Sequence, residues 1–80
     1  MKSVKDRVCA IIAKVLAVDE ADILLGSHLE IELNADSIDA IEIAMELEKE
    51  FNIIIPDEDL FKHWTLVGDI VDYIQRRITE

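Results

Sequence analysis

Hydrophobic residues recur along this chain mostly at helical spacing. Val4, Val8, Ile11, Ile12, Val15 and Leu16 fall on one face, which predicts a first helix over about residues 4–17, entered through Ser3 with Asp6 three positions later. A second stretch, Leu33 to Phe51, spreads Ile38, Ala40, Ile41, Ile43, Ala44, Met45, Leu47 and Phe51 over a broad apolar arc and gathers Asp39, Glu42, Glu46 and Glu50 on the remaining side. So wide an arc suits a helix packed by several neighbours. Asp36 is the expected N-cap, and Asp39 makes a short-armed version of the capping box, so this helix should begin at about Ser37. Leu66, Val67, Ile70, Val71, Ile74 and Ile78 form the last stripe, capped by Thr65 and closed by Gln75, Arg76 and Arg77. Gly68 in its first turn costs about 1 kcal/mol in propensity relative to alanine and suits a close helix contact.

The segments between the stripes are also patterned. Residues 18–35 form a long connection whose Ile23, Leu24, Leu25, Leu29, Ile31 and Leu33 are expected to pin it across the other elements, with a helical turn near Asp19 to Leu24. Connections of that length are uncommon in small domains unless they are folded down or functional. The alternation of Leu29, Ile31 and Leu33 with Glu30 and Glu32 has the period of a strand, but no second strand stands out to pair with it. Asn52 is the expected stop of the central helix. Ile53-Ile54-Ile55-Pro56 then reads as extended, because the residue before proline avoids the helical region, and Asp57 caps a short helix through about Phe61. The sum is an all-α fold: a small four-helix bundle of three longer helices and one short helix, with a long loop between helices 1 and 2.

Eighty residues make a single domain, 1–80, with no room for a second core, and 51% hydrophobic residues are enough to bury one. Domains of this size have stabilities of roughly 4–12 kcal/mol. The formal charge of −10 disfavours nucleic acid and anionic membrane surfaces as partners. Its distribution says more. Residues 1–18 carry a net +3, residues 19–60 a net −13 with Lys49 as their one base, and residues 61–80 balance. Acidic helix positions ordinarily form a solvated face, but a field this concentrated beside a potentially modified serine also steers basic partners.

That serine is Ser37. At a helix start, a phosphate attached to its hydroxyl would meet free backbone N–H groups and the positive end of the helix dipole. A serine hydroxyl is a poor nucleophile without a base. The two histidines, His28 and His63, sit in no recognisable catalytic motif with it, and neither a Gly-x-Ser-x-Gly elbow nor a glycine-rich oxyanion loop is present. No enzyme is therefore expected, and Ser37 reads either as the substrate of another enzyme or as a plain helix-start residue.

Asp36-Ser37-Ile38, preceded by Leu33 and followed by Glu42, Leu47, Phe51 and the run Ile55-Pro56-Asp57-Glu58, resembles the acyl carrier protein family over about Val4 to Arg77. The resemblance implies that Ser37 carries covalent 4'-phosphopantetheine, placed there from coenzyme A by a phosphopantetheinyl transferase that itself holds the catalytic metal. The arm's thiol would then hold acyl groups as thioesters and present them to acyl-chain-processing enzymes with basic docking surfaces. Carried over by position, the partner-binding surface is Asp36, Ile38, Asp39, Glu42, Met45 and Glu48. The helical wheel adds Glu46, while Lys49 interrupts the acidic surface. The family also shelters acyl chains between its helices. Leu47, Phe51, Ile55, Leu60, Phe61 and Trp64 are the candidate lining, with ordinary core packing as the alternative.

The departures from the family pattern are specific. Asn34 stands where glycine is usual and tolerates positive φ; Ile38 replaces leucine; Ile54 replaces a polar residue; and Phe61 and Trp64 are bulky enough to fill space that a long chain would need. The expected function is carriage of acyl intermediates in fatty acid biosynthesis or a related pathway. The alternatives are a specialised aminoacyl, polyketide or cell-envelope carrier, and an acidic interaction module that is never modified.

The remaining motifs add no chemistry. Asp19-Glu20-Ala21-Asp22 spells a helicase motif without the phosphate loop that such an ATPase needs. An EF-hand begun at Asp57 would put Lys62 where glycine is required, so no dedicated metal site is expected, only loose cation binding. Cys9, the one cysteine, permits no intrachain disulfide and reads as a small buried thiol. No run approaches the ~18 apolar residues of a membrane span, and the amino end lacks a signal-peptide core, so a cytoplasmic monomer without stable membrane insertion is the expectation.

Overall fold

A computed structural model describes residues 2–79, apart from the side chains of Phe61, Lys62 and His63. In chain order the helices are α1 (Val4–Leu16), α2 (Ser37–Phe51), α3 (Asp57–His63) and α4 (Val67–Thr79), with one turn of 3-10 helix at Glu20–Asp22. Among the described residues no strand forms, and a single antiparallel bridge joins His28 to Leu66. The fold is thus all-α, a bundle of three longer helices and a short one.

The predicted stripes make the core. Val8 and Ile12 of α1, Ile43 and Leu47 of α2, and Val67, Ile70 and Ile74 of α4 are fully buried where α1 packs against α2 and α4. Each such side chain contributes roughly 1.5–3 kcal/mol relative to an exposed one. At the start of α1, Ser3 Oγ accepts from the Asp6 N–H at 3.2 Å. The helix stops at Leu16 because Ala17 turns left-handed at φ 57°. Arg7 ties α1 to the end of α2: its Nε donates to Glu50 Oε2 at 2.7 Å and its guanidinium lies 4.2 Å from the Phe51 ring centre.

The long connection is pinned mainly by its backbone. Leu29 N–H donates to Thr65 O, Val67 N–H to Ser27 O and Gly68 N–H to Leu25 O, so residues 25–29 run against the start of α4. Of the six apolar residues expected to anchor it, Ile23 and Leu29 are buried and Leu33 is half-buried, but Leu24, Leu25 and Ile31 face solvent. Once the backbone bonds hold the loop, those three side chains have no helix above them. Gly68 explains part of the arrangement: a Cβ there would meet Leu25 O at 3.1 Å. Its close contact is with the loop backbone, not with another helix.

Two helix starts differ from expectation. Pro56, not Asp57, is the N-cap of α3, and the helix extends through His63. Proline brings a suitable φ and no N–H to satisfy, while Asp57, Glu58 and Asp59 face the positive end of the dipole. Helix α4 begins at Val67, so Thr65 lies one position ahead of the cap. There Asp69 reaches back, its Oδ2 accepting from the N–H groups of Leu66 at 2.8 Å and Thr65 at 3.2 Å.

Candidate functional site

Ser37 is the first residue of α2, and its position follows from the two aspartates around it. Asp36 Oδ1 accepts from the Asp39 N–H at 2.9 Å, and Asp39 Oδ2 accepts from the Asp36 N–H at 3.1 Å, completing a capping box. Asn34, at φ 61°, makes the left-handed turn that brings the chain to this point, and the Ala35 N–H donates to Leu29 O at 2.8 Å. With the N–H groups of Asp39 and Ala40 both given to Asp36, those of Ser37 and Ile38 have no acceptor among the described residues. Ser37 itself is exposed. An anion carried on its oxygen would sit against those free donors at the positive end of a 15-residue helix.

The predicted docking residues divide by what they do. Ile38, Met45 and Glu42 are exposed, and so is Ile41, which the sequence pattern had assigned to a helix covered on several sides. At 65%, 40% and 52% exposure, Ile38, Ile41 and Met45 leave one edge of the broad arc facing solvent. Asp36 and Asp39 spend carboxylate oxygens on the cap. Glu46 is half-buried and 3.5 Å from Lys14 Nζ. Glu48 stands apart: half-buried, its Oε2 accepts from the Ile55 N–H at 2.8 Å and holds the segment leading to α3. Its carboxylate has a structural partner inside the protein. Lys49 is exposed and joins Lys2, Arg7 and Lys14 along a groove between α1 and α2.

Beside Ser37 a cavity of about 290 Å³ opens between α2, α3 and the long loop. Its walls are Leu29, Ala35, Ala40, Ile43, Leu60 and Trp64, and its rim carries Ser37, Asp36, His28, Glu30 and Thr65. Leu60 and Trp64 were expected to line such a space. Leu47 and Ile55 lie in the core without lining the cavity, Phe51 lies under Arg7, and the side chain of Phe61 is outside the described residues. His28, Glu30 and Thr65 were not foreseen, because only the clamp between loop and α4 brings them to Ser37. The small residues on either side of Ser37, Ala35 and Ala40, were the one available hint that space is left there.

Trp64 is 8% exposed, and its indole Nε1 finds no hydrogen-bond partner among the described residues. What holds the ring is packing: it meets Tyr73 edge to face, with centroids 6.0 Å apart and planes at 76°. Tyr73 is anchored in turn, its hydroxyl donating to Asp59 Oδ2 at 2.6 Å and accepting from an Arg77 nitrogen at 2.9 Å. This chain joins α3 to α4. Burial pushes the Tyr73 phenol above its ordinary pKa, and the bond to Asp59 adds to the shift. Burial likewise raises the Cys9 thiol, far from the site on α1. Among the described residues no cluster of three or more His, Cys, Asp or Glu is arranged to hold a metal ion, and no helix is long and apolar enough to cross a membrane.

Residues 6–74 match the family described as a phosphopantetheine attachment site. An acyl carrier protein of Amoebophilus asiaticus (strain 5a2) is 39% identical over 80 residues, covering 100% of this chain and 99% of the relative.

Proposed function

The chain belongs to the acyl carrier protein family, whose members carry rather than catalyse, and from that premise we propose that Ser37 is the residue that receives 4'-phosphopantetheine. The observation that carries the assignment is the exposed Ser37 at the first position of α2, beside two free N–H donors and among the residues that line the cavity. Loading forms a bond between Ser37 Oγ and phosphorus as the phosphoanhydride of coenzyme A breaks. The hydroxyl proton passes to a base of the transferase, and the nucleotide portion leaves. The chain's own contribution is to hold the serine still and unhindered and to offer dipole and N–H groups to the resulting phosphodiester.

The thiol at the end of the arm then carries acyl groups as thioesters at high local concentration for successive enzymes. Docking falls to the exposed side of α2: Ile38 and Met45 supply apolar contact, while Asp36, Asp39, Glu42 and Glu46 attract basic surfaces and speed encounter. Glu48 belongs to that face by sequence but acts on it through the α2–α3 segment it holds. The partners are a phosphopantetheinyl transferase and acyl-processing enzymes, in fatty acid biosynthesis or a related thioester pathway in the cytoplasm. Trp64 in the cavity wall favours, as a second reading, a specialised carrier of unusual acyl or aminoacyl units; thioesters recovered from native cells by mass spectrometry separate the two.

The test is incubation with coenzyme A, magnesium and a broad-specificity phosphopantetheinyl transferase, followed by intact mass. Wild type should gain one phosphopantetheine and Ser37→Ala none. Absence of the gain in wild type, or its persistence in Ser37→Ala, would mean that Ser37 is not the attachment residue.

A further inference from the structure

The exposed side of α2 changes sign along its length. From this we propose that its last turns, together with α1, form a basic docking groove that takes an acidic segment of the acyl-processing enzyme seated at Ser37. The inference rests on the reading of α2 as the docking surface and adds the chemistry that a partner must present away from the serine. Ile38, Glu42, Met45 and Lys49 are all exposed, and their helical spacing sets them in one stripe down α2. At 1.5 Å per residue, Lys49 lies about 18 Å beyond Ser37 along the axis. Next to the serine the charges are Asp36, Asp39 and Glu42; at Lys49 the stripe runs into the groove between α1 and α2.

That groove, of about 410 Å³, gathers Lys2, Arg7, Lys14 and Lys49 around Ala10 and Ile11. Its two acids are already engaged, Glu50 with Arg7 at 2.7 Å and Glu46 with Lys14 at 3.5 Å. Lys2 and Lys49 have no ion-pair partner among the described residues. Four bases to two acids reverse the balance of a chain that holds 8 bases and 18 acids. A recess walled by Val15, Glu42 and Met45 shares Lys14 and Glu46 with the groove, so the two adjoin beside the open edge of α2. A partner surface that is basic throughout would match the Ser37 end and be repelled past Met45. One with bases near the serine, an apolar contact over Ile38 and Met45, and acids about 18 Å further on is complementary at every step. Such a segment arrives attached to the basic surface that attracts the carrier, whereas an anionic membrane or a second copy meets the full −10 of the chain.

The experiment uses two helical probe peptides of about eighteen residues that differ at one end. Both close with two arginines and carry leucines in the middle; about 18 Å away, one opens with two glutamates and the other with two glutamines, an order that suits the helix dipole. Binding to the isotope-labelled chain is followed by amide NMR shifts at low salt. The glutamate peptide should bind about three- to ten-fold tighter, as two exposed ion pairs allow, and should alone shift the amides of Arg7, Lys14 and Lys49. Added salt should shrink that preference, Lys14→Gln/Lys49→Gln should erase it, and Lys49→Glu should reverse it. Both lysines are exposed, and thermal melts report that the variants fold. Equal affinity for the two peptides, or a preference untouched in the folded double variant, overturns the proposal and leaves α2 as the docking surface. Binding of neither peptide overturns both. Groove shifts that grow with protein concentration alone, or that appear with phosphatidylglycerol vesicles and not with the glutamate peptide, give the groove to a second copy or a lipid surface and overturn the proposal as well. Loading of Ser37 is read separately, by intact mass.

Discussion

Asp36 has two roles that a single substitution would confuse and a pair would separate. Its Oδ1 caps α2 through the Asp39 N–H at 2.9 Å, and under the proposed function its charge belongs to the acidic field that would draw partners to Ser37. Asp36→Ala removes both. Loss of the cap costs about 1 kcal/mol within a range of ~0.5–2, and loss of a negative charge at the positive end of the dipole costs roughly a further 0.3–1. The Asp39 half of the box, bonded to the Asp36 N–H at 3.1 Å, survives, and the site is exposed, so the lower ends apply. The expected loss of about 1 kcal/mol lowers Tm by roughly 4–8 °C in a domain of this size. Asp36→Asn keeps a carbonyl acceptor of equal capping rank, so it should melt within a few degrees of wild type. Initial rates of phosphopantetheine transfer then isolate the charge: both variants should load more slowly, Asn included, and the deficit should shrink in high salt as the field is screened. An Asp36→Ala variant that melts with wild type would refute the capping argument. An Asp36→Asn variant that loads at the wild-type rate would confine Asp36 to a structural role.

Other consequences can be checked on the same preparations. Arg7→Ala gives up the 2.7 Å contact with Glu50 and the cation–π contact at 4.2 Å from Phe51. With the ion pair part-exposed at roughly 0–1 kcal/mol and the ring contact at roughly 0.5–1, a loss of about 0.5–2 kcal/mol is expected in urea unfolding, and a loss abolished by salt would show that the ring contact contributes nothing. The Cys9 thiol, raised by burial, should resist a thiol reagent in the native protein and react once denatured; rapid native labelling would contradict its position in the core. Cys9 and Tyr73 both hold their protons more tightly folded than unfolded, so their contribution is complete at neutral pH. It is lost as pH rises through their folded pKa values, above the ordinary values of about 8.5 and about 10. Melts across that alkaline range should show Tm falling, and Tyr73→Phe should flatten the upper part. Finally, with a formal charge of −10, added salt or magnesium should raise Tm by relieving repulsion, and indifference to both would show the acids to be too well solvated to strain the fold.

Local chemistry was read from the sequence wherever it acts over a few residues. Ser3 with Asp6, Asp36 with Asp39 and the left-handed Asn34 are short-range devices, and the structure has all three. The helix stripes were equally legible because a 3.6-residue period is written directly into the order of side chains. Misreadings occur where a distant segment decides. Thr65 has a good capping side chain, but the loop at Ser27 to Leu29 takes up the Thr65 carbonyl and the Val67 N–H, and Asp69 closes the helix from within. Leu24, Leu25 and Ile31 look like anchors, but backbone bonds make them dispensable for that purpose. The cavity is the least legible feature of all, since its walls come from the loop, α2, α3 and the residues just beyond.

The broad apolar arc of α2 shows why periodicity alone stops short of function. A hydrophobic residue facing its own core and one left open toward solvent contribute the same letter to the pattern, so Ile43 and Ile41 are indistinguishable by type. In the structure one is 1% exposed and the other 40%. Burying the open edge of Ile38, Ile41 and Met45 under a fifth element would stabilise the domain, yet the chain leaves it bare and sets Glu42 between Ile41 and Met45. Acids placed in that way make permanent coverage by the same chain unfavourable, because a buried carboxylate needs a partner that α2 does not provide. They make transient coverage by a basic surface favourable, since encounter is fast and screening by salt keeps it reversible. The mixed edge therefore suits an element that must be released by one enzyme before it reaches the next.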